Sequence, residues 1–278
     1  MTKKKATPPR RRDPRTEDFL ASLVGKSPTT IWAYRSAVNR FLVYCGKREP
    51  SVALAQKWLS VLERVDKLHP NSINYYGVIV KKYLRREGEN VEELRQISMP
   101  KQEASRREYI AAKDWQPFLD EIDDEDDYVV FNLMLSTGIR VGGLLTLTPE
   151  NIREEEHTLL VYGNQPVPLT SACLDELDCY ITKYKVARED RIFKQYTDKA
   201  IGEKLRQYAK KAGLKNWRKL VPHSLRHSFA IRFIQASKRP SALEDLRRFL
   251  GHRSIATTQV YLDYAFEESK AAYDEVFS

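Results

Sequence analysis

Between residues 27 and 86, apolar side chains return every three or four positions in three separate stretches. In the first, Ile31, Tyr34, Val38, Phe41, Leu42 and Cys45 mark one face, the period of an amphipathic helix. Ser27-Pro28 precedes it as a start signal, because serine can accept from a free helix N–H and proline suits the first helical position. Leu54, Trp58, Leu59 and Leu62 mark a second helix over 51–65. Ile73, Tyr76, Ile79, Val80, Tyr83 and Leu84 mark a third, opened by Asn71-Ser72 and closed by Lys81, Lys82, Arg85 and Arg86. Residues 16–97 are therefore expected to form an all-helical bundle. Residues 98–112 lose the periodicity, contain Pro100 and read as a linker.

Beyond the linker, 113–148 is again helical in pattern, with seven acids among the eight residues 120–127, which read as a solvated helix end. Over 151–169 the period changes. Thr158–Tyr162 and Val167–Leu169 are strand-like, separated by the turn signal Gly163-Asn164, and Pro168 belongs on an edge or strand end. Helical patterns resume at 170–186, 197–213, 222–237, 241–250, 254–261 and 264–276. The expected fold class is mainly α, with a helical N-terminal bundle followed by a mainly helical domain, residues 113–278, containing a small antiparallel sheet.

Charge adds a division of labour. Residues 1–100 hold 20 basic and 10 acidic residues, net +10, whereas 101–278 hold 27 and 28, net −1. A basic front half points to a polyanion partner. Residues 1–15, with Lys3, Lys4, Lys5, Arg10, Arg11, Arg12 and Arg15 among three prolines, read as a flexible basic tail. Seven basic residues and no acid between Lys204 and Lys219 make a second stripe that could face phosphates. No apolar run is long enough to span a bilayer, and the basic start is not followed by the apolar stretch of a signal peptide. Cys45, Cys173 and Cys179 lack metal-ligand spacing and read as free thiols in a cytoplasmic protein.

Three distant segments concentrate the chemistry: Ser136-Thr137-Gly138-Ile139-Arg140-Val141-Gly142-Gly143-Leu144-Leu145, Pro222-His223-Ser224-Leu225-Arg226-His227-Ser228, and Leu250-Gly251-His252 running to Tyr261. Pro222 at a helix start puts His223 and Arg226 on one face, with His227 nearby. His223 and His227 stand at zinc-chelating spacing, but Ser224 occupies the position where the zincin pattern needs Glu. Taken together, the segments resemble the signature of the tyrosine recombinase (phage integrase) family, in particular its Xer-like site-specific recombinases. The signature comprises T-G-x-R, H-x-x-R, L-G-H, and a Tyr nine residues after that His. The resemblance covers roughly residues 130–262, and the bundle before it is similar to the family's core-binding (SAM-like) DNA-binding domain.

The resemblance implies cleavage and rejoining of double-stranded DNA at a specific site, without metal or nucleotide cofactor, by a homo-tetramer on DNA. It implies a 3′-phosphotyrosyl intermediate on Tyr261, with Arg140 and Arg226 neutralising the phosphate oxygens. Each matched type suits its task. A free phenol ionises near pH 10 and needs nearby cations, and guanidiniums fork onto phosphate. His223 is expected to assist proton transfer, since its pKa sits near neutrality, and His252 to donate to a phosphate oxygen. Residues 263–278 would form a separate short helix that packs on a neighbouring subunit. Two features depart from the pattern. The hairpin turn Tyr162-Gly163-Asn164-Gln165-Pro166 lacks the usual general-acid Lys, leaving Lys183, Lys185, Lys194 and Lys199 as candidates. Gly143 stands where the family often has an acid. The turn without Lys keeps open a non-catalytic DNA-binding protein on the same scaffold, and a type IB topoisomerase-like relaxing enzyme shares the Tyr chemistry.

Overall fold

The computed structural model describes residues 13–101, 107–161, 165–237 and 239–277; the side chains of 268, 269 and 271–277 are outside that description. The chain divides into two compact units, Met1–Ser105 and Arg106–Ser278.

Unit 1 is a helical bundle. The basic tail expected at 1–15 falls largely on residues 1–12, outside the described residues. Asp13 then caps α1 (Pro14–Ala21), its carboxylate accepting from the Arg15 N–H at 3.0 Å. Ser27 caps α2 (Pro28–Cys45) by accepting from the Thr30 N–H, with Pro28 in the first turn. Next come α3 (Val52–Arg64), α4 (Pro70–Arg86) and α5 (Val91–Arg95). α4 starts at Pro70 rather than at Asn71-Ser72, because the His69 ring accepts from the Asn71 N–H and proline fits the first turn. The predicted apolar stripes converge on buried Phe19, Phe41, Trp58 and Tyr83, whose rings meet at 5.3–6.5 Å. Burial pushes the Tyr83 phenol up to about 12, so it stays neutral inside this apolar core.

Unit 2 is mainly helical. α6 (Trp115–Asp120), α7 (Glu125–Thr137) and α8 (Val141–Leu144) precede a small sheet of β1 (Ile152–Arg153), β2 (Thr158–Val161) and β3 (Gln165–Pro168). The sheet is antiparallel in the order β1-β2-β3, with Leu159 opposite Val167 and Thr158 opposite Pro168. Pro168 thus ends an edge strand, where its missing N–H is harmless. β1 is too short to carry an alternation legible in sequence. The turn residues Tyr162, Gly163 and Asn164 lie outside the described residues.

After the sheet come α9 (Ser171–Tyr184), α10 (Asp198–Lys211), α11 (Pro222–Ala236), α12 (Ala242–Leu250) and α13 (Ala256–Phe277). α11 is the hub, packed against α7, α10, α12 and α13. The two C-terminal helices expected at 254–261 and 264–276 are one continuous α13. No Gly or Pro interrupts the sequence there, and Tyr264 and Ala265 extend the face begun by Tyr261 at the next helical turn.

The acidic run is solvated in large part, with Asp120, Glu121, Asp123, Asp124 and Glu125 exposed, but not at Asp127. Asp124 caps α7 by accepting from the Asp127 N–H. Asp127 is fully buried and accepts from Tyr196 Oη (2.6 Å), Tyr208 Oη (2.7 Å) and Lys204 Nζ (2.5 Å). Asp123 pairs with Lys211 and Asp126 with Lys183. The basic stripe over 204–219 is correspondingly engaged within the protein: Lys204 and Lys211 hold these acids, Lys219 pairs with Glu108, and Lys210 and Arg218 lie over the Trp217 ring. Two ion pairs, Asp123–Lys211 and Asp127–Lys204, join the acidic run to the basic stripe that in sequence could face phosphates.

Candidate active site

The first motif segment is a helix end. α7 stops at Gly138, whose φ of +63° a side chain would strain and whose Cβ would run into the Phe229 ring. Thr137 Oγ donates to the Leu133 carbonyl and accepts from the Ile139 N–H, fixing the exit of the chain. Arg140 then takes the extended N-cap position of α8 and is half-buried. The second segment opens α11, where Pro222 fills the first turn and Ser224 Oγ accepts from the Val221 N–H at 3.2 Å. The third is the end of α12. Gly251 takes φ +61° with the Gln165 side chain against it, and the His252 N–H bonds to Arg247 O.

Arg226 joins all three. It is 2% exposed, and its guanidinium donates to the carbonyl of Gly138 (2.8 Å), to that of Leu250, and to His252 Nε2 (3.3 Å). His252 Nδ1 lies 2.9 Å from Thr258 Oγ. With Nε2 accepting from Arg226, the neutral ring carries its proton on Nδ1 and donates to Thr258. Its pKa is lowered to about 4, by burial first and then by Arg226, Arg140, Arg107 and His223. Tyr261, in the second turn of α13, is 1% exposed, and its ring stacks on His252 with centroids 6.5 Å apart. Burial raises its pKa, while Arg107, Arg226 and Arg140 pull it back.

All five sequence-derived residues, Arg140, His223, Arg226, His252 and Tyr261, are thus gathered around the start of α11. The roles are distributed differently from expectation in one respect: the Tyr261 hydroxyl is held by His227 Nδ1 at 2.9 Å, not by His223. His223 is exposed and packs against the His227 ring at 4.4 Å. Desolvation, followed by Arg226, Arg140 and Arg107, lowers its pKa. His227 is buried and lowered to about 3, mainly by desolvation. Its ring is therefore neutral near pH 7 and holds the Tyr261 hydroxyl in place. Sequence did signal His227, through its i+4 spacing from His223, but gave it no role. Arg107, which lay in the expected linker, carried no signal at all.

Three of the lysines named as candidates for the missing turn Lys are engaged elsewhere: Lys183 with Asp126 and Glu125, Lys194 with Asp190, Lys199 with Glu203. Lys185 forms the left-handed cap of α9. The turn's own Gln165 donates to the Phe249 carbonyl at 2.7 Å, which ties the sheet to α12 just before Gly251. Among the described residues no group of His, Cys, Asp and Glu is arranged to hold a metal ion, and no helix is long and apolar enough to cross a membrane.

Comparison with known proteins agrees with this geometry. The phage integrase family model matches residues 108–268. The tyrosine recombinase XerA of Thermococcus onnurineus is 28% identical over 275 residues, 93% of each chain. The tyrosine recombinase XerC of Neisseria meningitidis is 30% identical over 159 residues, covering 54% of this chain and 50% of XerC. Among solved structures, the Tn1549 transposon integrase in complex with transposon right-end DNA matches with a TM-score of 0.73 at 17% identity, over 95% of this chain and 98% of that one. The XerH site-specific recombinase bound to its palindromic difH substrate matches with a TM-score of 0.73 at 19% identity, over 95% and 84%. The chain belongs to the phage integrase family, the tyrosine recombinases, enzymes that break and rejoin DNA.

Proposed function

We propose that this enzyme cleaves and rejoins double-stranded DNA at a specific site, with Tyr261 as the nucleophile and a 3′-phosphotyrosyl link as the intermediate. The observation that carries the reading is Arg226: one buried guanidinium binds the T-G-x-R turn, the L-G-H turn and His252, and so fixes the three motif segments around Tyr261. Arg140, the more accessible of the two arginines, meets the non-bridging oxygens of the scissile phosphate, and Arg226 adds its charge from behind. The phosphate's own charge offsets the guanidiniums that depress His252 and His223, so both imidazoles regain protons as DNA enters. His252 then donates to a phosphate oxygen and His223 moves protons at the reacting centre. Tyr261, held by His227 until then, attacks phosphorus as its proton passes to solvent; the phosphorus–O5′ bond breaks, and the leaving oxygen takes a proton from His223 and departs as a 5′-hydroxyl. The bond energy stays in the phosphotyrosyl link, so rejoining needs no ATP.

In this reading residues 16–97 form the core-binding clamp, and the catalytic domain already begins within the segment 98–112 that reads as linker in sequence, since residues 107–110 bond to α11 and α13. Four copies act together on the DNA, each exchanging the far half of α13 with a neighbour. The test uses a supercoiled plasmid carrying the DNA that flanks this gene, incubated with wild type and Tyr261→Phe without metal or ATP. A protein–DNA adduct mapping to Tyr261, formed by the wild type alone, is expected. Binding without any adduct would leave a DNA-binding protein on the recombinase scaffold.

A further inference from the structure

A four-residue stretch outside the three motif segments is fastened across the nucleophile's helix. The Arg107 N–H donates to Tyr264 Oη at 2.7 Å, one turn beyond Tyr261 on α13. The Tyr109 ring meets the Tyr264 ring edge-on at 5.8 Å. Asn216 Nδ2 donates both to the Tyr109 carbonyl and to the Glu108 carboxylate, each at 3.0 Å. The Ile110 N–H donates to Ser228 Oγ at 2.8 Å, next to His227 on α11. Residues 107–110 are thus tied to α11, to α13 and to the loop after α10, which leaves the Arg107 backbone little freedom. From that fixed base the Arg107 guanidinium carbon reaches 5.8 Å from the Tyr261 ring centroid, within cation–π range.

We propose that Arg107 is a positioning residue for the nucleophile: it holds the Tyr261 ring on α13 and supplies the cation that favours its phenolate. This rests on Tyr261 being the nucleophile. Groups facing Tyr261 come from every element packed on it: His227 on α11, His252 after α12, the arginines 226 and 140, and Arg107 itself. Both histidines have lowered pKa values and are neutral near pH 7, so the three arginines supply the positive charge. Of the three, Arg107 acts most strongly on Tyr261. Arg226 is committed to backbone carbonyls, and Arg140 to the role of meeting phosphate. The strap explains why a cation is delivered by a segment with no regular secondary structure. Tyr264, one turn along α13 from the nucleophile, is the strap's anchor.

The test needs no DNA at first. In protein labelled with [13Cζ]tyrosine, the Tyr261 resonance, assigned by its loss in Tyr261→Phe, is titrated with pH. Arg107→Gln is expected to raise the Tyr261 midpoint by about one unit, equivalent to a ~10-fold loss of phenolate at neutral pH. Arg107→Lys should recover much of the shift. Tyr264→Phe, which releases the strap without removing charge, should move the midpoint in the same direction by less. On a nicked suicide substrate, single-turnover cleavage by Arg107→Gln should fall ~10-fold at pH 7 and recover as pH rises. An unmoved Tyr261 midpoint in folded Arg107→Gln overturns the proposal. So does a change confined to DNA affinity, with a salt slope reduced by about one, which would make Arg107 a phosphate contact. Failure of the wild type to form an adduct on Tyr261 would instead sink the catalytic reading, and the NMR titration separates the two.

Discussion

Unit 2 contains two buried polar centres of opposite construction. At Asp127 an anion with no exposed surface is met by two phenol O–H donors and the Lys204 ammonium. At Arg226 a cation, equally buried, is met by the carbonyls of Gly138 and Leu250 and by the His252 ring. The first centre contains its own counter-charge, and the pKa values of Tyr196 and Tyr208 are raised by burial and by Asp127, so both remain proton donors. The second gathers more positive charge around it: Arg140 and Arg107 act with Arg226 to drive His252 and His223 toward the neutral form and Tyr261 toward ionisation. A structural centre neutralises itself. The centre proposed to take a phosphodiester stays positive, so that a phosphate would complete it.

The sharpest way to break this contrast is at Arg226. Arg226→Lys keeps the charge but cannot reach both carbonyls with the geometry of a guanidinium. Single-turnover cleavage of a nicked suicide substrate should fall about 1000-fold, the scale of losing an oriented donor at a developing charge. Leaving a buried carbonyl unpaired should also destabilise unit 2 by ~1–3 kcal/mol in urea titration. A rate within tenfold of wild type would reduce Arg226 to a strut and shift the electrostatic work to Arg140 and Arg107.

The opposite result is expected at Asp127. Asp127→Asn preserves shape but removes the anion that Tyr196, Tyr208 and Lys204 share. A loss of roughly 3 kcal/mol is expected, at the low end for a broken buried pair because Lys204 can turn to water. Calorimetry should show the melting temperature falling by about 10 °C, while cleavage well below the new transition stays within about twofold. Lost cleavage in a folded Asp127→Asn protein would mean that the two centres are coupled through α7.

These centres also mark what sequence could convey. Periodicity located the helices, because an amphipathic stripe such as Ile31 to Cys45 is written in local spacing. The five candidate site residues could be picked out because motif order and the step from His252 to Tyr261 are properties of the chain. The Asp127 centre was not, since its donors lie about 70 to 80 residues away and nothing local separates a buried aspartate from its six acidic neighbours. Arg107 was hidden for the same reason: its partner Tyr264 is 157 residues distant. α13 was misread in a smaller way, because periodicity alone cannot say that two adjoining helical patterns share one axis.

The smallest expected effect concerns acid, and it tests whether the positive centre carries a standing cost. His227 titrates at about 3 in the folded protein, because burial and the surrounding cations oppose its protonation, against 6.5 for an ordinary histidine. The unfolded chain therefore binds a proton that the folded one refuses between those two values. Stability contributed by the neutral ring is complete above about pH 6.5 and is lost as pH falls toward 3. At pH 5 the loss from this residue amounts to about 2 kcal/mol, with His252, at about 4, adding in the same direction over a narrower window. Replacing the ring in His227→Asn should lower stability at pH 7.5, where the bond to Tyr261 is lost, yet flatten the decline between pH 7 and 5. Urea titrations of the wild type and the variant at both pH values measure the difference. Parallel curves would mean that acid acts elsewhere, whereas convergence toward pH 5 would show that the charge gathered for the phosphate is opposed at His227 by the fold itself.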